Sequence, residues 1–138
     1  MSLLGRLMGR SGKTSVPGWA ALEQPWREAE FCVVDLEATG MDLRHDDIVS
    51  YGAVLVRSGR IVARSCLYGL VKPTRPVSEG ALTVHALTSA ELVDAPPLSQ
   101  CAEALSEMMR GRALVAHAAW VERAFLNRAF KTRDLRLD

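Results

Sequence analysis

Apolar residues run without interruption from Phe31 to Val34, and the run passes directly into two carboxylates, Asp35 and Glu37. A continuous apolar run of this length is typical of a β-strand that is buried on both faces. Because side chains alternate along a strand, Asp35 and Glu37 are expected to project to the same side. The pattern therefore predicts a buried strand that ends in a pair of like charges.

Two further apolar segments come next along the chain. The segments 48–56 and 61–71 are rich in β-branched residues and are predicted to be strands. The short turn between them contains Gly59, which accepts a positive backbone angle easily. The two strands are therefore expected to form a hairpin, which Pro73 and Pro76 bring to an end.

After the hairpin the pattern becomes helical. Residues 78–86 are predicted to form a short helix, and the capping-box spacing of Thr88 and Glu91 predicts another helical turn. The clearest helix begins at Pro96-Pro97, ends at Gly111 and has an apolar stripe made of Leu98, Cys101, Ala102, Leu105, Met108 and Met109. A short buried strand at 113–116, a helix at 119–130 and an extended segment at 134–138 complete the chain.

This order of elements predicts an α/β domain in which a mixed sheet is flanked by helices. The Phe31 strand is expected at the centre, between the hairpin and the 113–116 strand. Ligands of such sheets gather at the carboxyl ends of strands, where the pattern places Asp35, Glu37 and His117. Neighbouring carboxylates need a compensating cation, for which a hard divalent metal ion is the usual choice. An acidic loop without function is the ordinary alternative.

Length and composition agree with one globular domain. The chain has 138 residues, of which 49% are hydrophobic and 24% charged. A formal net charge of +1 argues against a protein that coats nucleic acid through a broad basic surface. The three cysteines are far apart, and Cys32 and Cys101 are interpreted as core residues in a reducing compartment. No apolar run is long enough to cross a membrane, and a cytoplasmic protein is expected.

Residues 1–27 are predicted to be a mobile N-terminal extension, and residues 28–138 the folded domain. The first acidic residue is Glu23, so a transit peptide is an alternative, but no apolar core with a cleavage site is evident. The segment 9–14 is similar to a phosphate-binding loop. That interpretation is rejected because Leu7 stands where the motif requires glycine.

Two segments resemble motifs of a known family. Asp35-Leu36-Glu37-Ala38-Thr39-Gly40 is similar to D-x-E-x-T-G, the first motif of the DEDD superfamily of 3′→5′ exonucleases. The segment 114–126 resembles the second motif, in which V-A-H is followed by an acidic residue and then F-L. Val71-Lys72-Pro73 and His85-Ala86-Leu87-Thr88 resemble intervening segments of the family. The closest likeness is to the DEDDh branch that includes the proofreading ε subunit of bacterial DNA polymerase III.

The resemblance implies a ribonuclease-H-like fold and two-metal hydrolysis of a phosphodiester with Mg²⁺ or Mn²⁺. It implies that Asp35, Glu37 and Glu122 are the catalytic metal ligands, with Asp35 bridging both ions. The substrate-binding residues that it implies are Ala38, Thr39, Gly40 and His117. The expected partner is a nucleic acid 3′ end, single-stranded or frayed, of DNA or RNA. A polymerase, or a second copy of the chain, is a further expected partner.

The sequence departs from the family pattern in two places. Glu122 stands where the family has aspartate, and its extra methylene moves the carboxylate outward. The third motif, H-x-x-x-x-D, does not occur before Asp138, so the domain is expected to be C-terminally incomplete. His117 and Glu122 have the spacing of that motif, but the preceding strand favours the second motif. The alternative function is a catalytically impaired module that binds nucleic acid or serves in assembly.

Three other residues are site candidates by residue type. His45 and His85 have no acidic residue at a useful spacing and are interpreted as surface or loop residues. Trp120 has two interpretations, stacking on a base or half-buried packing.

Overall fold

A computed structural model describes residues 14–16, 22–131 and 135–137 of the chain. This part of the chain contains the strands β1 Thr14–Val16, β2 Glu30–Ala38, β3 Ile48–Arg57, β4 Arg60–Leu70, β5 Ala113–Val115 and β6 Leu135–Leu137. Its helices are α1 Glu79–His85, α2 Ser89–Leu92, α3 Leu98–Met109 and α4 Ala119–Lys131. Each element predicted between residues 30 and 131 is present, with ends within two residues of the predicted ones.

The main sheet has four strands among the described residues, in the order β4-β3-β2-β5. Strand β2 pairs antiparallel with β3 along its whole length and parallel with β5 over three residues. The predicted central position of the Phe31 strand is confirmed. The sheet is mixed because β5 reaches β2 through the helices, whereas β3 and β4 form a hairpin.

The hairpin turn needs two residues with positive φ. Ser58 has φ of 50° and Gly59 has φ of 70°. Positive angles at both central residues match the right-handed twist of the strands, and glycine adopts them without strain. The predicted role of Gly59 is confirmed.

The core lies between one face of the sheet and helices α3 and α4. Cys32 and Val34 of β2 face it, and burial raises the pKa of the Cys32 thiol to about 11. The helices contribute buried side chains that include Leu105, Met109, Phe125, Leu126 and Phe130. The predicted apolar stripe of α3 and the core positions of Cys32 and Cys101 are confirmed.

Strand β2 is not buried on both faces, so that expectation is wrong. Phe31 and Val33 are half-buried and Asp35 is exposed, whereas Cys32 and Val34 are buried. The burial therefore alternates along β2, as in a sheet that packs helices on one face. Asp35 is consequently more hydrated than a doubly covered strand would allow.

Strands β1 and β6 pair in parallel, with Thr14 opposite Leu135. Most of the predicted extension 1–27 lies outside the described residues, so its mobility stays a prediction. Among the described residues, no helix combines the length and the apolar character needed to cross a membrane.

Side chains cap the N-termini of helices α1 and α2. The Ser78 side chain accepts from the Ala81 amide, and Thr88 and Glu91 form a complete capping box. The C-cap residue of helix α1 is Ala86, whose φ is 59° and whose amide donates to the Leu82 carbonyl. The left-handed conformation is unfavourable for a residue that has a Cβ atom, whereas glycine adopts it freely.

We therefore expect Ala86→Gly to raise the free energy of unfolding by about 0.5 to 1 kcal/mol, because it removes left-handed strain. Ala90→Gly, within α2, is the control and should lower it by about 1 kcal/mol. Urea denaturation followed by circular dichroism measures both. Equal destabilisation by the two substitutions would contradict the assigned conformation of Ala86.

Candidate active site

The C-terminal half of β2 carries the carboxylate pair. In the register with β3, Asp35 lies opposite Gly52 and Glu37 lies opposite Ser50. Strand β5 pairs with β2 only as far as Val33. On that side of β2, among the described residues, helices rather than strands therefore surround the carboxylates.

A cleft of about 360 Å³, called here the first cleft, lies between the end of β2 and helices α1 and α4. Glu37 from β2 and Glu122 from α4 both line it. Most of the remaining wall is apolar or backbone and consists of Leu36, Ala38, Gly40, Met41, Ser78, Gly80, Ala81, Val84, His85, Val121 and Phe125. The structure thus brings together carboxylates from the two motifs that the sequence singled out.

Glu122 is the most unusual side chain of this cleft. It lies in the first turn of α4 and is only 6% exposed. Its Oε2 is the one buried side-chain oxygen or nitrogen without a hydrogen-bond partner among the described residues. A buried carboxylate oxygen without a partner is costly, so this atom is suited to a ligand that supplies positive charge or a donor.

A second cleft, of about 260 Å³, lies beside Asp35 and Glu37, next to residues of β3. It is lined by Asp35, Glu37, Ser50, Gly52, Tyr68, His85 and Leu87. A side chain at Gly52 would meet no atom within 4 Å, so this glycine leaves open space beside Asp35. Glu37 and His85 line both clefts and separate one from the other.

The environment of Glu37 makes its ionised form less stable than it is in water. Burial raises its pKa above the usual 4.5, and the negative charge of Asp35 raises it further. His85 acts in the opposite direction and is the weakest of these influences. A cation bound beside the pair would reverse the balance, because it stabilises both ionised carboxylates.

His85 is a site residue that the sequence interpretation missed. Its Nδ1 accepts from the Leu87 amide at 3.0 Å, and its Nε2 lies 3.1 Å from the Ala38 carbonyl. Geometry therefore assigns the proton to Nε2, which donates to Ala38. The surface or loop assignment of His85 is wrong, because the residue is half-buried at the end of α1 and lines both clefts. Its partners are backbone groups, which the spacing of acidic residues does not reveal.

Thr39 is completely buried and uses all its polar groups inside the protein. Its hydroxyl donates to Asp46 Oδ1 at 2.8 Å and accepts from the Asp47 amide at 3.0 Å. Its amide donates to the Asp47 carbonyl, and its carbonyl accepts from the Ser78 amide. A hydroxyl contact from Thr39 to substrate does not fit this arrangement, so Thr39 fixes the loop instead.

Gly40 and Ala38 remain on the wall of the first cleft. A Cβ at Gly40 would crowd the Asp46 carboxylate, which accepts hydrogen bonds from the Thr39 hydroxyl and the Asp42 amide, so glycine leaves the space that Asp46 occupies. Of these three residues predicted to contact substrate, Ala38 and Gly40 therefore line the first cleft, whereas Thr39 lies behind its wall.

Three other residues considered from the sequence do not line either cleft. His117 is exposed after β5 and is not among the residues that line either cleft. Trp120 is 67% exposed, which excludes the half-buried packing role. His45 has an acidic partner after all, because its Nδ1 lies 2.8 Å from Asp42 Oδ2.

The carboxylates do not form a preassembled metal cage. Within the described ranges, no group of three or more His, Cys, Asp or Glu side chains is arranged to hold a metal ion. Glu37 and Glu122 share the first cleft, and Asp35 and Glu37 share the second. The donors are hard oxygen ligands of the type that Mg²⁺ and Mn²⁺ prefer, and the unpartnered oxygen of Glu122 fits such an ion.

The Thr39 hydrogen bonds can be tested by removing the hydroxyl alone. We expect Thr39→Val to lower the free energy of unfolding by about 2 kcal/mol or more, because Asp46 and the Asp47 amide lose a buried partner. Thr39→Ser keeps the hydroxyl and should cost only about 1 kcal/mol for the lost methyl group. Urea denaturation distinguishes the two variants. A less stable serine variant would contradict this role.

Burial of Glu37 and its repulsion by Asp35 both raise the pKa of Glu37 and predict a pH-dependent stability without metal. Since native Glu37 holds its proton more tightly than the unfolded chain, stability falls as the pH rises from 4.5 through the native pKa of Glu37. We expect Asp35→Asn to raise Tm by about 1 to 2 °C at pH 7 in EDTA, an effect of a few tenths of a kcal/mol. The gain should disappear below about pH 4, where carboxylates are protonated.

Glu103→Gln, which removes an exposed carboxylate of α3, is the matched control and should leave Tm unchanged. Calorimetric scans from pH 3 to pH 8 measure all three proteins. A lower Tm for Asp35→Asn at pH 7 would show that the two carboxylates do not repel each other in the native state.

Comparison with known proteins places these features in a family. The family model described as "Exonuclease" matches residues 32–133. The chain is 34% identical over 123 residues to the DNA polymerase III subunit epsilon-like protein of Rhodobacter capsulatus, covering 88% of this chain and 17% of that protein. It is 31% identical over 108 residues to the PolC-type DNA polymerase III of Bacillus cereus, covering 78% of this chain and 7% of that protein. The chain thus spans a small part of these curated relatives.

Solved structures agree with the sequence matches. Exonuclease X in complex with 5′ overhanging duplex DNA superimposes with a TM-score of 0.57 at 31% identity, over 70% of this chain and 53% of that chain. The product-bound structure of exonuclease I has a TM-score of 0.68 at 12% identity, over 80% of this chain and 30% of that chain, and is evidence of fold alone. The mixed sheet flanked by helices is therefore a ribonuclease-H-like fold. With the acidic first motif on its central strand, this chain belongs to the exonuclease family of the DEDD superfamily.

Proposed function

We propose that the domain is a metal-dependent 3′→5′ exonuclease that removes nucleotides from the 3′ end of nucleic acid. The observation that carries the proposal is the buried, unpartnered Oε2 of Glu122 in a cleft that Glu37 also lines. Such an arrangement is unfavourable for the protein alone and becomes favourable when a cation is shared between the carboxylates. The family assignment supplies the reaction class.

Asp35, Glu37 and Glu122 are the residues that would hold divalent cations, Mg²⁺ or Mn²⁺. Bound there, such ions supply activation of water and stabilisation of the charge that develops on the leaving oxygen. The carboxylates belong to separate elements, β2 and α4, so their relative placement depends on how those elements pack. Asp35 is exposed and stays accessible from the second cleft.

The first cleft is proposed to take the terminal nucleotide. Its volume of about 360 Å³ falls in the usual range for small-ligand sites, and Leu36, Met41, Val84 and Phe125 give it apolar walls. A nucleobase presents two flat apolar faces that suit such walls irrespective of base identity. Met41 is 73% exposed and Val84 is 80% exposed, so both have surface to lose on binding. His85 supports this cleft by fixing the end of β2 through the Ala38 carbonyl.

DNA is the substrate we propose to test first. The structure of exonuclease X is described as a complex with duplex DNA, and the sequence relatives are named as DNA polymerase III proteins. The same names motivate the proposal that a polymerase is the natural partner of this domain.

A binding module without turnover is the second candidate. It is favoured by the absence of a three-ligand metal group within the described ranges. Such a module would bind single-stranded oligonucleotides in the first cleft without shortening them.

The exonuclease proposal is tested with a single-stranded DNA that carries a fluorophore at its 5′ end, incubated with Mg²⁺ or Mn²⁺. Removal of nucleotides from the 3′ end should give a ladder of labelled products, and EDTA should stop it. We expect Asp35→Asn and Glu122→Gln each to slow the reaction at least 100-fold, because each removes a charged ligand.

Glu103→Gln is again the matched control and should cut at the wild-type rate. Immediate release of the labelled 5′ nucleotide would contradict the proposed direction. Equal rates for wild-type protein and both site variants would refute the proposal. Binding without any shortening would favour the non-catalytic module.

A further inference from the structure

Arg128, which lies outside both clefts, connects the helix that carries Glu122 to the loop that follows the strand of Asp35 and Glu37. Asp35 and Glu37 lie on β2, and Glu122 lies in the first turn of α4. Pairing of β5 with β2 ends at Val33, and α4 begins four residues after β5. Side-chain contacts of α4 therefore contribute to the separation between Glu122 and the β2 carboxylates.

Arg128 of α4 makes the polar part of this attachment. Its Nη1 donates to the Leu43 carbonyl at 2.7 Å, and its Nη2 donates to the Asp46 carbonyl at 2.7 Å. Its Nη2 also lies 3.6 Å from Asp47 Oδ1. A guanidinium that donates through two nitrogens to separate carbonyls is fixed in orientation as well as in position.

The loop that Arg128 contacts is itself fixed to the end of β2. Asp46 and Asp47 are bonded to Thr39 through its hydroxyl, and the Thr39 amide donates to the Asp47 carbonyl at 2.8 Å. Thr39 follows the last residue of β2. A continuous set of short hydrogen bonds therefore runs from α4 through the loop to the strand that carries Glu37.

Arg128 does not take part in the site directly. It lies six residues after Glu122, about 9 Å farther along the helix axis and roughly 120° around it. It is not among the residues that line either cleft. Its guanidinium lies 5.7 Å from the ring of Phe125, which lines the first cleft. Any effect of Arg128 on the reaction is therefore indirect and passes through the placement of α4 and of the loop that it contacts.

We propose that Arg128 is a positioning residue, which sets the separation between Glu122 and the Asp35–Glu37 pair and thereby the affinity of the site for divalent cations. This inference rests on the proposed function, because it assumes that the three carboxylates act together. Misplacement of a reacting group by about 1 Å is enough to cost 100-fold in rate. A flexible Lys, which offers one compact ammonium group, cannot replace the two-pronged contact.

The test compares Arg128→Met, Arg128→Lys and the control Lys131→Met, which removes one positive charge from the exposed last turn of the same helix. Mn²⁺ affinity is measured by isothermal titration, and nuclease rates are measured at saturating oligonucleotide over a range of Mn²⁺ concentrations. Circular dichroism at the assay temperature establishes that each variant is folded.

We expect Arg128→Met to weaken Mn²⁺ binding about tenfold and to lower kcat about 100-fold, with KM for the oligonucleotide within threefold of wild type. Arg128→Lys should recover only a small part of kcat, and Lys131→Met should match the wild type. A purely structural role would lower Tm and leave Mn²⁺ affinity and kcat of the folded variant unchanged, which would overturn the inference.

Failure of the proposed function has a different signature. If the wild type and Lys131→Met neither bind Mn²⁺ nor shorten DNA, the proposed function is wrong and the inference falls with it. If they do both, and Arg128→Met does both within twofold of them, the inference alone is wrong. A variant that is unfolded in the assay is replaced by Arg128→Gln, which keeps two donors on a neutral group.

Discussion

The candidate site depends on the hydrogen bonds of one buried residue, Thr39. Its amide, carbonyl and hydroxyl connect the end of β2 to Asp46, Asp47 and the start of α1. A buried polar group is expensive unless it is paired, so a residue with every group paired strongly favours one arrangement of its neighbours. These hydrogen bonds fix the loop that forms part of the wall of the first cleft, and Gly40 leaves room for the Asp46 carboxylate to reach Thr39.

Two contacts extend this arrangement to the rest of the cleft. His85 at the end of α1 donates to the Ala38 carbonyl, and Arg128 of α4 donates to carbonyls of the loop. The strand, the loop and both helices are thus connected around Glu37 and Glu122. Two unfavourable features remain in this arrangement. Glu122 Oε2 has no hydrogen-bond partner, and the carboxylates of Asp35 and Glu37 repel each other. Both features are relieved by positive charge.

The sequence predicted the fold well because hydrophobic period, caps and turns are local signals. The β3–β4 hairpin and the capping box at Thr88 follow from nearby residues, and the central place of β2 follows from the order of the elements along the chain. The resemblance to the exonuclease motifs also implied that Asp35, Glu37 and Glu122 belong to one site. The roles of Thr39 and His85 were missed because their partners include backbone groups, which a residue pattern does not identify. Burial of Glu122 and exposure of Asp35 depend on tertiary packing and on the short β5, which local periodicity does not specify.

The proposed site requires that Glu122 and the β2 carboxylates share divalent cations. Crystals grown with Mn²⁺ and measured at the manganese absorption edge test it most directly, because anomalous scattering locates the ion without reference to activity. We expect an anomalous peak in the first cleft within coordination distance of Glu122 Oε2 and of a Glu37 or Asp35 oxygen, roughly 2.0 to 2.4 Å. A map without such a peak at saturating Mn²⁺, with Glu122 hydrogen-bonded to protein groups alone, would contradict it.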